Sequence, residues 1–161
     1  MFTEEASGVF GVASRFVDGK NGIVVGERAA LAIDCSNYED EGQAMADFIC
    51  DKGFAPDRLV LTHGHGDHIG GNGHIKKETG AKICIHELDA DMLTNPNLNL
   101  SSAMGRDFIT PKTDVLLKDK DELKILEQKH TLGKVNFDSI IIADFDESLK
   151  SVTTSLLYTD I

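Results

Sequence analysis

The stretch Thr62–Gly71, "THGHGDHIGG", decides how this chain is read. It sets three histidines and an aspartate, His63, His65, Asp67 and His68, within six positions and separates them with glycines. The preceding run, "DRLVL" (57–61), is apolar at consecutive positions, as in a strand covered on both faces of a sheet. In an extended backbone residues i and i+2 share a side, so His63 and His65 reach one ion together. Gly64 and Gly66 leave the backbone room to turn sharply and bring Asp67 and His68 to the same pocket. Imidazole and carboxylate suit Zn, Fe or Mn, and no thiolate is among the four. Four donors in six residues crowd a single ion. The spacing therefore predicts two adjacent ions, with His63 and His65 on one and Asp67 and His68 on the other. Such a pair lowers the pKa of a bridging water and polarises a carbonyl. A glycine-rich surface loop with idle histidines is the alternative, but a cluster at the C-terminal mouth of a buried strand is where α/β sites form.

Outward from this stretch, strand-like runs precede it at "GVFGVASRFV" (8–17), "NGIVVGE" (21–27) and "AALAIDC" (29–35). The intervening "DGKNG" reads as a turn whose glycines accept positive φ. In "EDEGQAMADFICDKG" (39–53), Ala44, Met45, Phe48 and Ile49 recur at helical spacing, with acids at the start and Gly53 as a C-terminal cap. After the stretch come a short helix in "GGNGHIKKETGA", a strand in "KICIHE" and a helical turn in "ELDADML". A long irregular loop follows from Thr94 to Lys112, of a length that usually serves function or mobility. "DVLLKDKDELKIL" reads as a hairpin turning across Lys118 to Asp121, and "SIIIADF" and "TSLLYTDI" as further strands. The pattern predicts one domain of α+β class over residues 1–161.

The 161 residues are 41% apolar and 27% charged, with a formal net charge of −11 and a pI of about 4.8. That charge disfavours nucleic acid and anionic membrane as partners. No basic and apolar leader and no membrane-length apolar run is visible, and the odd number of cysteines (Cys35, Cys50, Cys84) lacks any C-x-x-C pair. A cytoplasmic setting with reduced, buried thiols is expected, with Cys84 in a strand of the core.

"THGHGDHIGG" resembles the first metal motif, T-H-x-H-x-D-H-x-G-G, of the metallo-β-lactamase superfamily. "GIVVGERAALAIDC" is similar to the family's second and third strands and ends near Asp34, which the resemblance places behind the metal ligands. "ETGAKICIHELDADML", "NLNLSSAMG" and "DVLLKDKDELKI" resemble the glyoxalase II-like (hydroxyacylglutathione hydrolase-like) branch. The likeness covers about residues 8–126. It implies an αββα sandwich with the site along one edge. It implies two Zn ions, with Fe or Mn as substitutes, and hydrolysis of a thioester or related small ester by a metal-bound hydroxide. Asp67 is then both a ligand and the group that orients the attacking water.

Residues 127–161 diverge from the family pattern. "HTLGKV" (130–135) matches H-T-x-G-S-V in one register and makes His130 the third ligand of the first ion. In the other register Lys134 takes the ligand position, and its ammonium has no lone pair to give. The spacing around Gly133 and Val135 favours His130. "LLYTDI" resembles the motif whose aspartate bridges the ions, which nominates Asp160. No histidine follows His130 to close the second site, and much of the family's second half has no counterpart. The expectation is a sandwich incomplete in its C-terminal half, through truncation, a shifted frame or natural reduction. One sheet face is then left apolar, and a second copy of the chain is the partner this predicts for it. His74 reads as a surface residue at a helix start and His86 as a strand-end polar residue. Two other functions fit the departures: an inactive metal-binding fragment, and a mononuclear iron persulfide dioxygenase-like protein needing only a histidine pair, His130 and Asp160.

Overall fold

The computed structural model describes residues 2–16, 19–26 and 29–121. His130, Lys134, Asp160, the two last expected strands and the returning arm of the hairpin lie outside the described residues.

Seven strands form one mixed sheet in chain order. β1 (Phe2–Ala6), β2 (Val9–Ala13), β3 (Lys20–Val25) and β4 (Ala30–Ile33) make an antiparallel meander. β5 (Pro56–Val60), β6 (Lys82–His86) and β7 (Val115–Leu117) add to β4 in parallel. Each parallel step needs a crossover. Helix α1 (Glu39–Asp51) carries the chain from β4 to β5, and the single turn α2 (Gly66–Ile69) with α3 (Asn72–Thr79) carries it from β5 to β6. The result is one mixed sheet covered by helices, the α+β class expected from the sequence.

The register shows which positions share a face. Ile23 opposes Ala32, Ala32 pairs with Leu59, and Leu59 with Ile83. These four are fully buried, beneath Met45 and Ile49 of α1 and Ile75 of α3. Burial of each large apolar side chain contributes about 1.5–3 kcal/mol of transfer free energy. On the opposite face, Val24 pairs with Leu31, Gly22 with Ile33, and Val60 with Cys84. Cys84 is buried there, as expected of a core strand, while Val24, Leu31, Ile33 and Val60 are half-buried.

Several local expectations need adjustment. β1 carries no alternation strong enough to show in "FTEEA"; it is an edge strand made by backbone pairing, anchored by Phe2 stacked on Phe48 with ring centroids 4.2 Å apart. Gly22 of "DGKNG" does not take positive φ; it lies within β3, opposite Ile33. The helix ends follow the expected capping, since Gly53 (φ 84) terminates α1 and Gly80 (φ 74) caps α3 by donating its N–H to the Lys76 carbonyl. β7 ends in the expected turn, with Asp121 N–H donating to the Lys118 carbonyl at 3.0 Å.

Candidate metal centre

β5 delivers the stretch to the edge of the sheet. Its last residues are held on both sides: Asp34 N–H donates to the Val60 carbonyl and Leu61 N–H to the Cys84 carbonyl, each at 2.9 Å. Beyond Leu61 the chain bends at Thr62, is extended at His65 (φ −68, ψ 153) and then coils into α2, where His68 N–H donates to the His65 carbonyl at 3.0 Å. The change from extended to helical within four residues gathers the side chains. One donor atom each from His63, Asp67 and His68 lies within 4.8 Å of the others. The His63 and His68 rings are 4.1 Å apart, and the His65 ring meets His63 edge-to-face at 4.6 Å. His65 thus adjoins the cluster, but the tightest grouping cuts across the pairing that spacing alone predicts. The reason is the α2 turn, which returns His68 beside His63.

A buried carboxylate sits behind this cluster. Asp34 is 3% exposed and has a left-handed backbone (φ 54) at the end of β4. Its Oδ1 accepts the Thr62 N–H at 2.9 Å, and its Oδ2 accepts the Thr62 hydroxyl at 2.8 Å. Oδ2 also lies 2.9 Å from His68 Nδ1. A proton on Nδ1 shared with Asp34 turns the Nε2 lone pair towards the cluster, where Nε2 is 3.5 Å from Asp67 Oδ2. Asp34 therefore lies directly behind the donor cluster. Thr62, which a search for ligands passes over, is the residue that ties Asp34 to the start of the motif.

The glycines serve close approach rather than unusual torsions. Neither Gly64 nor Gly66 has positive φ. A Cβ on Gly64 would stand 2.5 Å from Met92 Cβ, and one on Gly66 would stand 3.0 Å from the Phe108 ring. A Cβ on Gly71 would stand 2.5 Å from the Cys35 carbonyl oxygen and 2.7 Å from Gly42 Cα. The motif is thus sandwiched between the loop after β4, the N-terminus of α1 and the segment following β6.

The Cys35 thiol, fully buried under this loop, lies 2.7 Å from Asn72 Oδ1 and 3.2 Å from the His68 carbonyl oxygen, two acceptors for its one hydrogen. Burial, helped by the Asp34 charge, pushes its pKa well up, and Cys35 is not a member of the three-residue donor group. His74, on α3, approaches Glu39 at 3.3 Å, and His86, at the end of β6, approaches Asp119 at 3.4 Å. Neither joins the three-residue donor group. An open cleft of about 450 Å³ between Tyr38, Glu39, Asp40, Gln43, His74 and Arg106 contains none of the candidate ligands.

Residues 17–137 match the family model described as the metallo-beta-lactamase superfamily. The probable metallo-hydrolase YqgX of Bacillus subtilis (strain 168) is 30% identical over 86 residues, 53% of this chain and 41% of that protein. A hydroxyacylglutathione hydrolase of Pelagibacter ubique (strain HTCC1062) is 27% identical over 116 residues, 67% of this chain and 41% of that protein. The chain thus spans about two fifths of the length of these curated relatives. Among solved structures, the BLEG-1 B3 metallo-beta-lactamase superposes with a TM-score of 0.66 at 22% identity, over 73% of this chain and 56% of that one. A strand-end cluster of His63, Asp67 and His68 backed by Asp34, together with a family match over three quarters of its length, establishes that the chain belongs to the metallo-beta-lactamase superfamily.

Proposed function

We propose that this chain carries the metal-binding half of a metal-dependent hydrolase acting on a thioester or related small ester. The observation that carries the reading is the convergence of His63, Asp67 and His68 donor atoms within 4.8 Å, with Asp34 behind His68. The hydroxyacylglutathione hydrolase likeness supports the thioester class.

The donor set fits a divalent ion. It combines two imidazoles and a carboxylate, with a hydrogen-bond acceptor behind one imidazole to fix its tautomer. His63, Asp67 and His68 would hold the metal, with His65 adjoining; His130 and Asp160 are the candidates to complete the coordination. When bound, zinc or a similar ion supplies Lewis acidity, which polarises an acyl carbonyl and lowers the pKa of water. The residues of the chain provide the rest. Asp34 and Thr62 hold His68 and the start of the motif in place before any substrate arrives, so little reorganisation is left for the reaction. Asp67, half-buried at the start of α2, is placed to accept a proton from a water entering the cluster and to orient that water towards a carbonyl.

Elemental analysis and a thioester-hydrolysis assay on one purified sample test the reading. Two Zn per chain with turnover is the expected result. Less than one metal per chain without turnover overturns it, and one Fe with oxygen uptake replaces hydrolysis with dioxygenase chemistry.

A further inference from the structure

The long segment after β6, from Thr94 to Lys112, is not an idle loop. Its ends are closed by Thr110 N–H donating to the Leu93 carbonyl at 2.8 Å, reinforced by the Thr110 hydroxyl on the same oxygen at 3.1 Å. This makes Thr94–Ile109 an Ω-type loop, packed by its own side chains. At its centre is Asn99, which is fully buried. Its carboxamide nitrogen donates to the Met92 carbonyl at 2.8 Å and the Phe108 carbonyl at 3.0 Å. Its Oδ1 accepts the Ser101 N–H at 3.0 Å, across Leu100 in a left-handed conformation (φ 64). Fully buried asparagine is uncommon, and leaving one of its partners unpaired is costly. Here both amide hydrogens and the carbonyl are used.

The backbone of the same residue reaches the metal loop. The Asn99 carbonyl accepts the N–H of Gly66, the first residue of α2, at 2.9 Å. Gly66 stands between His65 and Asp67. Ser101, also fully buried, accepts the Phe108 N–H on its hydroxyl at 2.9 Å, and a Cβ on Gly66 would stand 3.0 Å from Phe108 and 3.2 Å from Met104 and Ser101.

We propose that Asn99 is a positioning residue of the metal centre. It folds the Ω loop into a rigid clamp whose one hydrogen bond to Gly66 fixes where α2 begins, and hence where Asp67 and His68 present their donor atoms. This rests on the reading of those residues as ligands. It adds that the loop and the ligand turn are one mechanical unit, so the loop reports on the metal and the metal on the loop.

The test compares Asn99→Ala with Met45→Ala in the full-length chain. Met45 is equally buried but lies on α1, and its truncation is a control for loss of general stability. Co(II) is titrated into each apo protein below its melting temperature, with the visible ligand-field spectrum recorded. Amide exchange at Gly66–His68 is measured without metal. Asn99→Ala is expected to weaken Co(II) binding at least tenfold, at the lower end of the loss typical of groups behind metal ligands, and to alter the spectrum. It is also expected to speed exchange at Gly66, whereas Met45→Ala leaves all three unchanged apart from its lower melting temperature. Ser101→Ala, a milder loosening of the same clamp, covers the case in which Asn99→Ala does not fold; a smaller shift in the same direction is expected. Equal Co(II) affinity and equal Gly66 exchange in wild type and clamp variants overturn the proposal while leaving the metal centre standing. If wild type binds no Co(II), the ligand reading fails, and slow Gly66 exchange lost only in the clamp variants still supports the mechanical coupling.

Discussion

Asp34 Oδ2 lies 2.9 Å from His68 Nδ1, and the pair joins the end of β4 to the turn that follows β5. Because Asp34 also accepts both the N–H and the hydroxyl of Thr62, the two strand ends are locked by one buried carboxylate. Asp34→Asn separates geometry from charge: asparagine tolerates the left-handed backbone, but it offers an amide N–H where Nδ1 needs an acceptor. The expected outcome is about a 10- to 100-fold loss of metal affinity with the fold retained, read by metal titration alongside circular dichroism.

Gly71 and Gly73 are two residues apart and should respond oppositely to alanine. At Gly71 the new Cβ meets the Cys35 carbonyl oxygen and Gly42 Cα, both backbone atoms that cannot swing aside. Overpacking of this kind costs about 1–3 kcal/mol. At Gly73, inside α3, the nearest atom beyond the helix itself is Pro111 Cδ at 3.9 Å, so Gly73→Ala should gain up to about 1 kcal/mol of helix propensity. Urea midpoints of the two variants check the contrast.

The donor turn was legible because its chemistry is local: donor residues within six positions share a pocket whatever the rest of the chain does. The helices were legible for a similar reason, since Met45, Ile49 and the acidic first turn Glu39–Glu41 mark α1 by periodicity and dipole alone. β1 was hidden because an edge strand needs only a backbone partner, and "FTEEA" supplies almost no buried face. Asn99 was hidden because nothing distinguishes it from Asn95 and Asn97 in "NPNLN"; its burial is created by Met92 and Phe108, far along the loop. The packing around the motif's glycines was hidden for the same reason. Close approach to Met92, Phe108 and Cys35 is a tertiary fact, whereas room for a sharp turn is all that a local reading suggests.

Acid sensitivity should trace to two carboxylates outside the donor cluster. Burial raises the pKa of Glu41, but hydrogen bonds from Ser36, the Arg15 backbone, Ser14 and the Arg15 side chain outweigh it and leave the carboxyl below its ordinary value of 4.5. Asp114 is lowered chiefly by its hydrogen bonds from Lys76, and also by the Ile83 N–H. For a depressed carboxyl the stabilising contribution is complete above the unfolded pKa and is lost as pH falls through the folded one. Stability should therefore hold from neutral pH to about 4.5 and decline below it. Glu41→Gln should lower stability at pH 7 and flatten the decline below pH 4.5, measured as urea midpoints across that range.

Metal removal should expose which histidines are ligands. A metal that binds only the folded chain stabilises it by about 2.7 kcal/mol at a hundredfold excess over its dissociation constant, so chelation should lower the melting temperature. His63→Ala and His68→Ala remove members of the donor group and should abolish the chelator-dependent shift. His86→Ala should leave the shift intact, because that ring stands beside Asp119 at the end of β6, outside the donor group. His130→Ala decides between the two registers of "HTLGKV". A lower metal content makes His130 a ligand, which is the expected result; an unchanged content rules it out.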